Sequence, residues 1–369
     1  MKICICATSG VSLTNFRGEL IKSWVRQGHS VVCTSIEPYE QMAEAISKLG
    51  ASYYQITGSR VGIGLLEGVK MIREYRKAFK ILQPDMCFLY MSKPVAFGGF
   101  AAIMQRIGHI NVLVNGLENA FYRKGLKDWL VRLVMSFFYW FVGRKSDNVF
   151  MQNEDDYHYF ISHRITKAVN TSVVNGSGVD MTYFKREPLP QDPVFLMTAR
   201  LLWSKGIREY LSAISQVKKE CPEAKFMLVG GLDENDEALS PSELQKCIEE
   251  YEIEYCGYTT DVREYLKKCS VFVLPSYHEG TPRSVLEAMA TGRAIITTIA
   301  PGCRETVVEG ANGFLVPVGD STLLAQRIVQ LAQNAALRTK MAEASYNVCM
   351  AKYEVSKINK VLCERMSVS

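Results

Sequence analysis

Short apolar runs alternate along this chain with longer segments in which apolar residues recur every three or four positions. This alternation is typical of β-α-β units, in which helices connect parallel strands. In the first half the predicted strands span 2–8, 30–35, 52–56, 86–91 and 110–115, and the predicted helices span 15–27, 39–49, 64–82 and 95–106. In the second half the predicted strands span 194–201, 225–231, 253–257, 271–276 and 294–298. The pattern predicts two Rossmann-like series, each with a parallel sheet.

The length of the chain also favours two domains. A single hydrophobic core stops growing at about 250 to 300 residues, and this chain has 369. The proline-rich segment 186–193 suits an exposed linker. We expect a first domain over 1–180 and a second over 181–350. Open parallel sheets bind ligands at the carboxyl ends of their strands, so a binding cleft is expected between the two domains.

Charge is distributed unevenly between the halves. Residues 1–180 hold 21 Lys or Arg against 14 Asp or Glu, a net +7, whereas residues 181–369 hold 22 against 24, a net −2. An anionic partner is therefore expected at the first domain. The basic residues are interspersed with acidic and bulky apolar ones, and no nucleic-acid-binding motif occurs, which disfavours nucleic acid as that partner.

Cysteine usage and hydropathy indicate the compartment. The eleven cysteines include no C-x-x-C pair, which predicts free thiols in a reducing environment. The first residues are too soon interrupted by polar ones to form a signal peptide, and no stretch approaches the ~18 consecutive apolar residues of a membrane span. We therefore expect a cytoplasmic protein.

Two glutamates lie near the two ends of the segment "HEGTPRSVLEA" (278–288). A strand end, a loop and a helix over 283–291, closed by Gly292, are predicted here. Glu279 falls in the loop and Glu287 in the helix, so the two carboxylates could accept hydrogen bonds from vicinal hydroxyl groups of a ligand. The start of the helix would attract an anion. The ordinary alternative is a solvated loop acid and an exposed helical residue.

Two cations follow the first predicted strand of the second half. Arg200 and Lys205 lie five positions apart across a turn, and together they could neutralise a diphosphate. Solvated loop residues are the alternative. The acidic segment 232–240 is expected to be a solvated loop.

Combined, these motifs resemble a known family. The series is R-L-x(3)-K-G after a strand, then E-x(7)-E, then an N-G-F-L-V-P turn at 312–317. It closely resembles the nucleotide-sugar domain of family-four retaining glycosyltransferases, of GT-B architecture. The segment "TSGVSLTNFRGELIKSW" is similar to the first βα turn of the branch that builds bacterial surface polysaccharides and glycoprotein glycans.

The resemblance covers essentially the whole chain and implies a fold. Two Rossmann-like, doubly wound α/β domains would face a central cleft. The segment 346–366 would form a helix that crosses back to the first domain, so that 351–369 form a separate C-terminal part.

The resemblance also implies roles for the residues of the second domain. Arg200 and Lys205 would grip the diphosphate of a UDP-sugar, Glu287 the ribose hydroxyls and Glu279 the hydroxyls of the donor sugar; Tyr258 would lie beside the base. Of these, Glu279, Arg200 and Lys205 would be catalytic. The full set implied for donor binding is Gly10, Arg200, Lys205, Tyr258, Glu279, Gly280, Thr281, Pro282, Arg283 and Glu287. No D-x-D motif occurs, so the donor would bind without a metal or other cofactor.

The first domain departs from the family pattern on the acceptor side. Asn115 stands where a histidine is common, and Glu118 where a glycine is common. His109, upstream, is expected at the start of a strand with no special role. The resemblance implies a retaining attack from the front face, which would need no general base because the leaving phosphate would take the proton of the acceptor. The acceptor-side candidates are Asn15, Arg17, Asn115 and Glu118.

A basic and apolar segment suggests a membrane-facing surface. Residues 122–145 combine aromatic and aliphatic side chains with basic ends, and they adjoin a basic helix over 70–80. This composition suits an anionic headgroup interface, although a helix packed in the core is the alternative. The candidates are Arg73, Arg76, Lys77, Lys80, Arg123, Lys124 and Lys127.

The expected function is transfer, with retention, of a hexose or N-acetylhexosamine from a UDP-sugar to an undecaprenyl-diphosphate-linked glycan. The enzyme would act peripherally at the cytoplasmic face of the inner membrane, in surface polysaccharide or glycoprotein glycan synthesis. A non-hydrolysing UDP-sugar epimerase and an inactive nucleotide-sugar-binding protein are the alternatives. The sequence does not choose among galactose, glucose and their N-acetyl forms.

Overall fold

The computed structural model describes residues 1–59, 65–116, 125–233 and 238–368. The chain forms two compact units. Unit 1 contains Met1–Ser177 and Ser356–Ser369, and unit 2 contains Gly178–Val355. The proline-rich segment 186–193 has neither helix nor strand and lies within unit 2.

Unit 1 is built on a seven-stranded parallel sheet in the order β3-β2-β1-β4-β5-β6-β7. Its strands are β1 Lys2–Cys6, β2 Ser30–Ser35, β3 Ser52–Gln55, β4 Met86–Tyr90, β5 His109–Val114, β6 Asn148–Met151 and β7 Thr171–Val173. Its helices are α1 Gly10–Arg26, α2 Tyr39–Ser47, α3 Leu65–Leu82, α4 Gly99–Met104, α5 Leu126–Gly143 and α6 Glu154–Ser162, with a π-helical turn at Pro94–Gly98. Every residue of β4 is buried, as expected for a strand covered by helices on both faces.

Unit 2 is built on a six-stranded parallel sheet in the order β10-β9-β8-β11-β12-β13. Its strands are β8 Val194–Thr198, β9 Lys225–Val229, β10 Glu254–Tyr255, β11 Val271–Leu274, β12 Ala294–Thr298 and β13 Gly313–Val316. Its helices are α7 Ile207–Glu220, α8 Pro241–Tyr251, α9 Arg263–Lys268, α10 Arg283–Thr291, α11 Ser321–Gln333 and α12 Ala335–Lys352. The last helix, α13 Val355–Met366, belongs to unit 1 from Ser356 onward. The strand order reverses between β8 and β11, which is where open α/β sheets bind their ligands.

The predicted fold class is confirmed by these two parallel α/β sheets. The helix predicted over 283–291 has the predicted bounds, and it ends at Gly292 in the left-handed conformation (φ 79°). Three strands were not predicted: β6, β7 and β13. The residues of β13 had been assigned to a turn, but they pair in parallel with β12 along four positions.

The single helix predicted over 346–366 is wrong. The chain forms two helices there, α12 and α13, separated at Tyr353 and Glu354. The Val179 amide donates to the Tyr353 carbonyl at 2.8 Å, and the Val355 amide donates to the Val179 carbonyl at 3.0 Å. The helix is interrupted because its backbone pairs with a distant segment at this point.

The last helix completes the core of unit 1. Ile358, Leu362 and Met366 of α13 are buried in the same hydrophobic cluster as Trp24 of α1 and Phe88 of β4. Residues from the two ends of the chain therefore form one core. None of the helices in the described ranges has both the length and the apolar character of a membrane span.

Candidate functional site

Two loops of unit 2 meet beyond the ends of β8 and β11. Gly206, in the loop after β8, has a left-handed backbone (φ 80°), and a Cβ there would come within 3.0 Å of the Pro275 carbonyl after β11. The Tyr277 amide donates to the Ser204 carbonyl at 3.0 Å. The glycine therefore allows the two loops to pack backbone against backbone.

Lys205 lies between Ser204 and Gly206 in the sequence and forms an ion pair. Its Nζ donates to Oε1 of Glu279 at 2.6 Å, and the two side chains are only 18% and 16% exposed. Charges withdrawn from water to this extent interact more strongly than those of a surface pair. The structure thus brings together one of the two predicted cations and one of the two predicted acids.

The backbone around Glu279 is fixed by the segment that follows β12. The Glu279 amide donates to the Pro301 carbonyl at 3.0 Å, and Gly302 has no room for a Cβ because the Glu279 and Gly280 carbonyls lie against it. Cys303, the next residue in the sequence, is buried. Burial raises the pKa of its thiol to about 12, and the negative charge of Glu279 adds to this effect. Cys303 is therefore a neutral, packed thiol.

The side chain of Glu287 is held by another side chain of the same helix, α10. Nε of Arg283 donates to Oε1 of Glu287 at 3.0 Å, in an i,i+4 pair whose side chains are largely buried. Burial raises the pKa of Glu287, the guanidinium of Arg283 opposes this rise, and the Asp261 carboxylate adds to it. Nη1 of Arg283 also donates to the Gly178 carbonyl. The side chain of Arg283 was not predicted to pair with Glu287.

Arg200 pairs with an acid that was assigned to a solvated loop. Its Nη1 donates to Oδ2 of Asp233 at 3.2 Å; Arg200 is about half exposed and Asp233 is largely buried. The loops after β8 and β9 are close because Gly230 lies directly against the Ala199 carbonyl. Leu239 is also buried, whereas Leu232 is exposed, so the prediction of a solvated segment over 232–240 is wrong for Asp233 and Leu239. Residues 234–237 lie outside the described ranges.

Tyr258 lies at the same edge of the sheet. The residue is 72% exposed, and its ring lies beside Gly231 of the loop after β9. The Gly230 amide donates to the Gly257 carbonyl at 2.9 Å, which joins the two loops. An exposed ring on a fixed loop provides a flat surface for a base or a sugar.

The amide of Gly10, a residue that the resemblance assigns to donor binding, already has a partner in unit 1. It donates to Oε2 of Glu37 at 2.8 Å, and the Ser35 hydroxyl donates to the same oxygen at 2.7 Å. The carboxylate of Glu37 thus occupies the first turn of α1, where a helix favours negative charge.

Asn115 holds the backbone after β4. Its Oδ1 accepts a hydrogen bond from the Met91 amide at 3.1 Å, and Met91 has a left-handed backbone (φ 70°). Residues other than glycine are strained in this conformation. Asn115 therefore stabilises a strained turn at the carboxyl edge of the first sheet. His109 is the first residue of β5, as predicted.

The other acceptor-side candidates are placed differently. Arg17 is 1% exposed, and its guanidinium lies 5.3 Å from the centre of the Tyr90 ring and 5.9 Å from that of Phe88. This position is in the interior of unit 1 and not on a surface that a ligand could reach. Asn15 is exposed on α1 and accepts from the Thr14 hydroxyl at 3.3 Å. Glu118 lies outside the described residues.

Helix α5 has two apolar faces. Met135, Tyr139 and Val142 are buried in the core of unit 1, as the core-packing alternative predicted. The opposite face is a stripe of exposed side chains at helical spacing, here called the α5 stripe: Leu126, Trp129, Leu130, Leu133, Phe137 and Trp140. An exposed apolar face of this extent is typical of interaction surfaces.

The predicted basic residues of α3 are on the surface. Arg73, Arg76, Lys77 and Lys80 are all exposed, whereas Met71, Tyr75 and Ala78 on the other side of the helix are buried. Arg123, Lys124 and the side chain of Lys127 lie outside the described residues.

The unit 2 edge presents cations, acids and an aromatic ring, which together suit an anionic, hydroxyl-rich ligand. In the part of the chain that the structure describes, no group of three or more His, Cys, Asp or Glu residues is arranged to hold a metal ion.

Comparison with known proteins gives a consistent result. Residues 192–334 match the family model described as glycosyl transferases group 1. The N,N'-diacetylbacillosaminyl-diphospho-undecaprenol alpha-1,3-N-acetylgalactosaminyltransferase of Campylobacter jejuni is 28% identical over 93% of this chain and 92% of its own length. A putative colanic acid biosynthesis glycosyltransferase, WcaL of Escherichia coli, is 32% identical over 43% of this chain and 42% of its own length.

Solved structures share the fold. Sucrose-phosphate synthase from Thermosynechococcus elongatus superposes with a TM-score of 0.82 at 16% identity, covering 99% of this chain and 98% of that one. Anabaena Alr3699/HepE in complex with UDP-glucose superposes with a TM-score of 0.78 at 18% identity, covering 100% of both chains. At such identities the likeness establishes the architecture alone.

Proposed function

We propose that this chain, which belongs to the group 1 glycosyltransferases (family GT4, GT-B fold), moves a hexose or N-acetylhexosamine from a UDP-sugar to a polyprenyl-diphosphate-linked glycan. The observation that carries the donor side is the ion pair of Lys205 with Glu279 at the edge where unit 2 reverses its strand order. The diphospho-undecaprenol in the name of the Campylobacter relative supports the acceptor class. The UDP-glucose in the Anabaena structure supports the donor class.

When the donor binds, Lys205 and Glu279 part and contact different groups of the donor. The ammonium group of Lys205 takes a diphosphate oxygen, and the carboxylate of Glu279 accepts hydrogen bonds from hydroxyls of the donor sugar. Arg200 brings a second cation, released from Asp233, to the diphosphate. Negative charge grows on the diphosphate as the bond to the sugar breaks, so fixed cations stabilise the transition state more than the ground state.

The transfer retains the configuration of the donor. The acceptor hydroxyl oxygen bonds to the anomeric carbon on the face that the diphosphate leaves, and its proton passes to a leaving phosphate oxygen. UDP departs with the electron pair of the broken carbon–oxygen bond. No side chain is needed as a base, in keeping with an asparagine at position 115.

The nucleoside is held by the other half of the same edge. Glu287, fixed by Arg283, accepts from the ribose hydroxyls, and the exposed ring of Tyr258 lies beside the uracil. Both groups lie at the same edge of the unit 2 sheet as the diphosphate cations.

The acceptor lipid is reached through unit 1. We assign the α5 stripe to the interfacial zone of the cytoplasmic leaflet, with the exposed basic residues of α3 attracted to its anionic headgroups. Each large apolar side chain that leaves water contributes about 1.5 to 3 kcal/mol. The net charge of +7 over residues 1–180 complements an anionic surface.

The test is release of UDP from a panel of UDP-hexoses and UDP-N-acetylhexosamines, with and without a synthetic polyprenyl-diphosphate-linked sugar. We expect release that depends on the acceptor, with the sugar recovered on the lipid in the same anomeric configuration. Conversion of the donor to its epimer without an acceptor, or UDP binding without turnover on any donor, would contradict the proposal. The surface polysaccharide or glycoprotein glycan that the product enters then follows from the accepted lipid.

A further inference from the structure

One arginine links the ribose side of the proposed donor site to the start of unit 2. Arg283 is the first residue of α10, and its guanidinium makes two contacts at once. Nε donates to Oε1 of Glu287 at 3.0 Å, and Nη1 donates to the carbonyl of Gly178. The side chain is 16% exposed and lies near the ring of Phe184.

Gly178 is the residue at which the chain enters unit 2. The chain leaves the same unit after Val355, and these two passages are tied together. The Val179 amide donates to the Tyr353 carbonyl at 2.8 Å, and the Val355 amide donates to the Val179 carbonyl at 3.0 Å. We call the paired segments 178–179 and 353–355 the crossover.

We propose that Arg283 is a positioning residue that couples occupancy of the Glu287 carboxylate by the nucleoside to the hydrogen bonding of the crossover. The proposal rests on the proposed function, because only there is Glu287 the group that holds the ribose. A guanidinium is a rigid planar fork, so its Nε and Nη1 cannot move independently. A change in the position of the Glu287 carboxylate is therefore passed to the Gly178 carbonyl.

The direction of the effect follows from linkage. Ribose hydroxyls that fix the Glu287 carboxylate also fix the guanidinium, which favours the arrangement in which the Gly178 carbonyl is bound. A ligand shifts an equilibrium by its difference in affinity for the two arrangements. UDP is then expected to slow the opening of the crossover, and an intact crossover is expected to strengthen UDP binding.

The experiment is hydrogen–deuterium exchange of the full-length enzyme with and without UDP, followed in peptides that contain the amides of Val179 and Val355. In the wild type, saturating UDP is expected to slow exchange at these amides about fivefold, the lower end of ordinary coupling strengths. In Arg283→Met the slowing is expected to vanish, and UDP affinity measured by calorimetry to fall about tenfold. Arg283→Lys keeps the charge but has a single nitrogen, so it should also lose the slowing while it binds UDP better than Arg283→Met.

The matched control is Lys225→Met, which removes an exposed pair with Asp192 elsewhere in unit 2. It should leave both readouts unchanged. If Arg283→Met does not fold, Arg283→Lys and Glu287→Gln carry the test. A wild type that binds UDP but exchanges at the same rate with and without it, or an Arg283→Lys variant that keeps the slowing, would overturn the inference alone. A wild type that does not bind UDP at all would overturn the proposed function and the inference with it.

Discussion

Replacing Lys205 by methionine removes one charge of the pair with Glu279 and keeps most of the aliphatic length of the side chain. The pair is formed at 2.6 Å with both side chains less than one-fifth exposed, so the change leaves a carboxylate in a poorly hydrated position. We expect this to cost about 1 to 3 kcal/mol of unfolding free energy. Turnover should fall by about 10² to 10³, the usual effect of losing one fixed group that stabilises developing charge.

The double variant Lys205→Met with Glu279→Gln separates these two effects. It also removes the negative charge that the single change deprives of the Lys205 ammonium, so most of the lost stability should return. Turnover should stay low because no cation meets the diphosphate at this position. The measurements are urea unfolding for stability and coupled detection of released UDP for turnover, on the wild type, both single variants and the double variant.

An exposed pair of similar length supplies the control. Nζ of Lys22 lies 2.7 Å from Oε1 of Glu19, but the two side chains are 39% and 31% exposed. An exposed pair contributes only about 0.2 to 1 kcal/mol to the free energy of unfolding. Lys22→Met should therefore change neither readout appreciably. Turnover of Lys205→Met within about threefold of the wild type would refute the role given to Lys205. A double variant no more stable than Lys205→Met would refute the reasoning about the charge of Glu279.

Three further predictions concern other parts of the molecule. Asp233→Asn removes the acid that neutralises Arg200, so UDP should bind about two- to fivefold more tightly in calorimetry, the range that a partly exposed ion pair allows. Burial raises the pKa of Glu287, so protonation of the folded protein begins at a higher pH than for an ordinary glutamate; UDP affinity should decline on acidification from that higher pH, and Glu287→Gln should remove this part of the profile. Trp129→Ser on the α5 stripe should weaken sedimentation with anionic vesicles by about tenfold, whereas Val361→Ser, which alters an exposed apolar residue of α13, should not.

Each of these has an outcome that would count against it. Weaker UDP binding by Asp233→Asn would mean that the acid orients Arg200 instead of competing with the ligand. If UDP affinity of Glu287→Gln still declines on acidification in the same way, the decline is due to another group. Equal loss of vesicle binding in the variants of Trp129 and Val361, or binding to neutral vesicles as strong as to anionic ones, would remove the α5 stripe from the membrane surface.

The sequence was sufficient for elements whose signals are local. The helix over 283–291 was predicted to the residue because an apolar period, a proline before it and a glycine after it all agree. β13 was missed because its first residue, Gly313, follows an asparagine, a pair typical of turns. It is a strand only because β12 lies beside it. Likewise, the break between α12 and α13 is set by Val179, which lies more than 170 positions away in the sequence.

The candidate site was also predicted in part. Residue types and spacing identified the edge of unit 2, since Lys205, Glu279 and Glu287 all lie on the loops and the helix that flank the reversal of strand order. The partners of the charges could not be predicted, because they depend on how loops from different strands pack. The available signal for Asp233 was its position just beyond a strand that ends in two glycines.

The contribution of α13 to unit 1 has a consequence for biosynthesis. A ribosome completes the whole of unit 2 before it releases the side chains of Ile358 and Leu362 that close the core around Trp24. The nascent N-terminal half must therefore wait, with part of its apolar interior still uncovered, while the segment behind it is translated. Unit 2 has no such delay, since all of its residues are contiguous, and it can reach its native state first although it is made second.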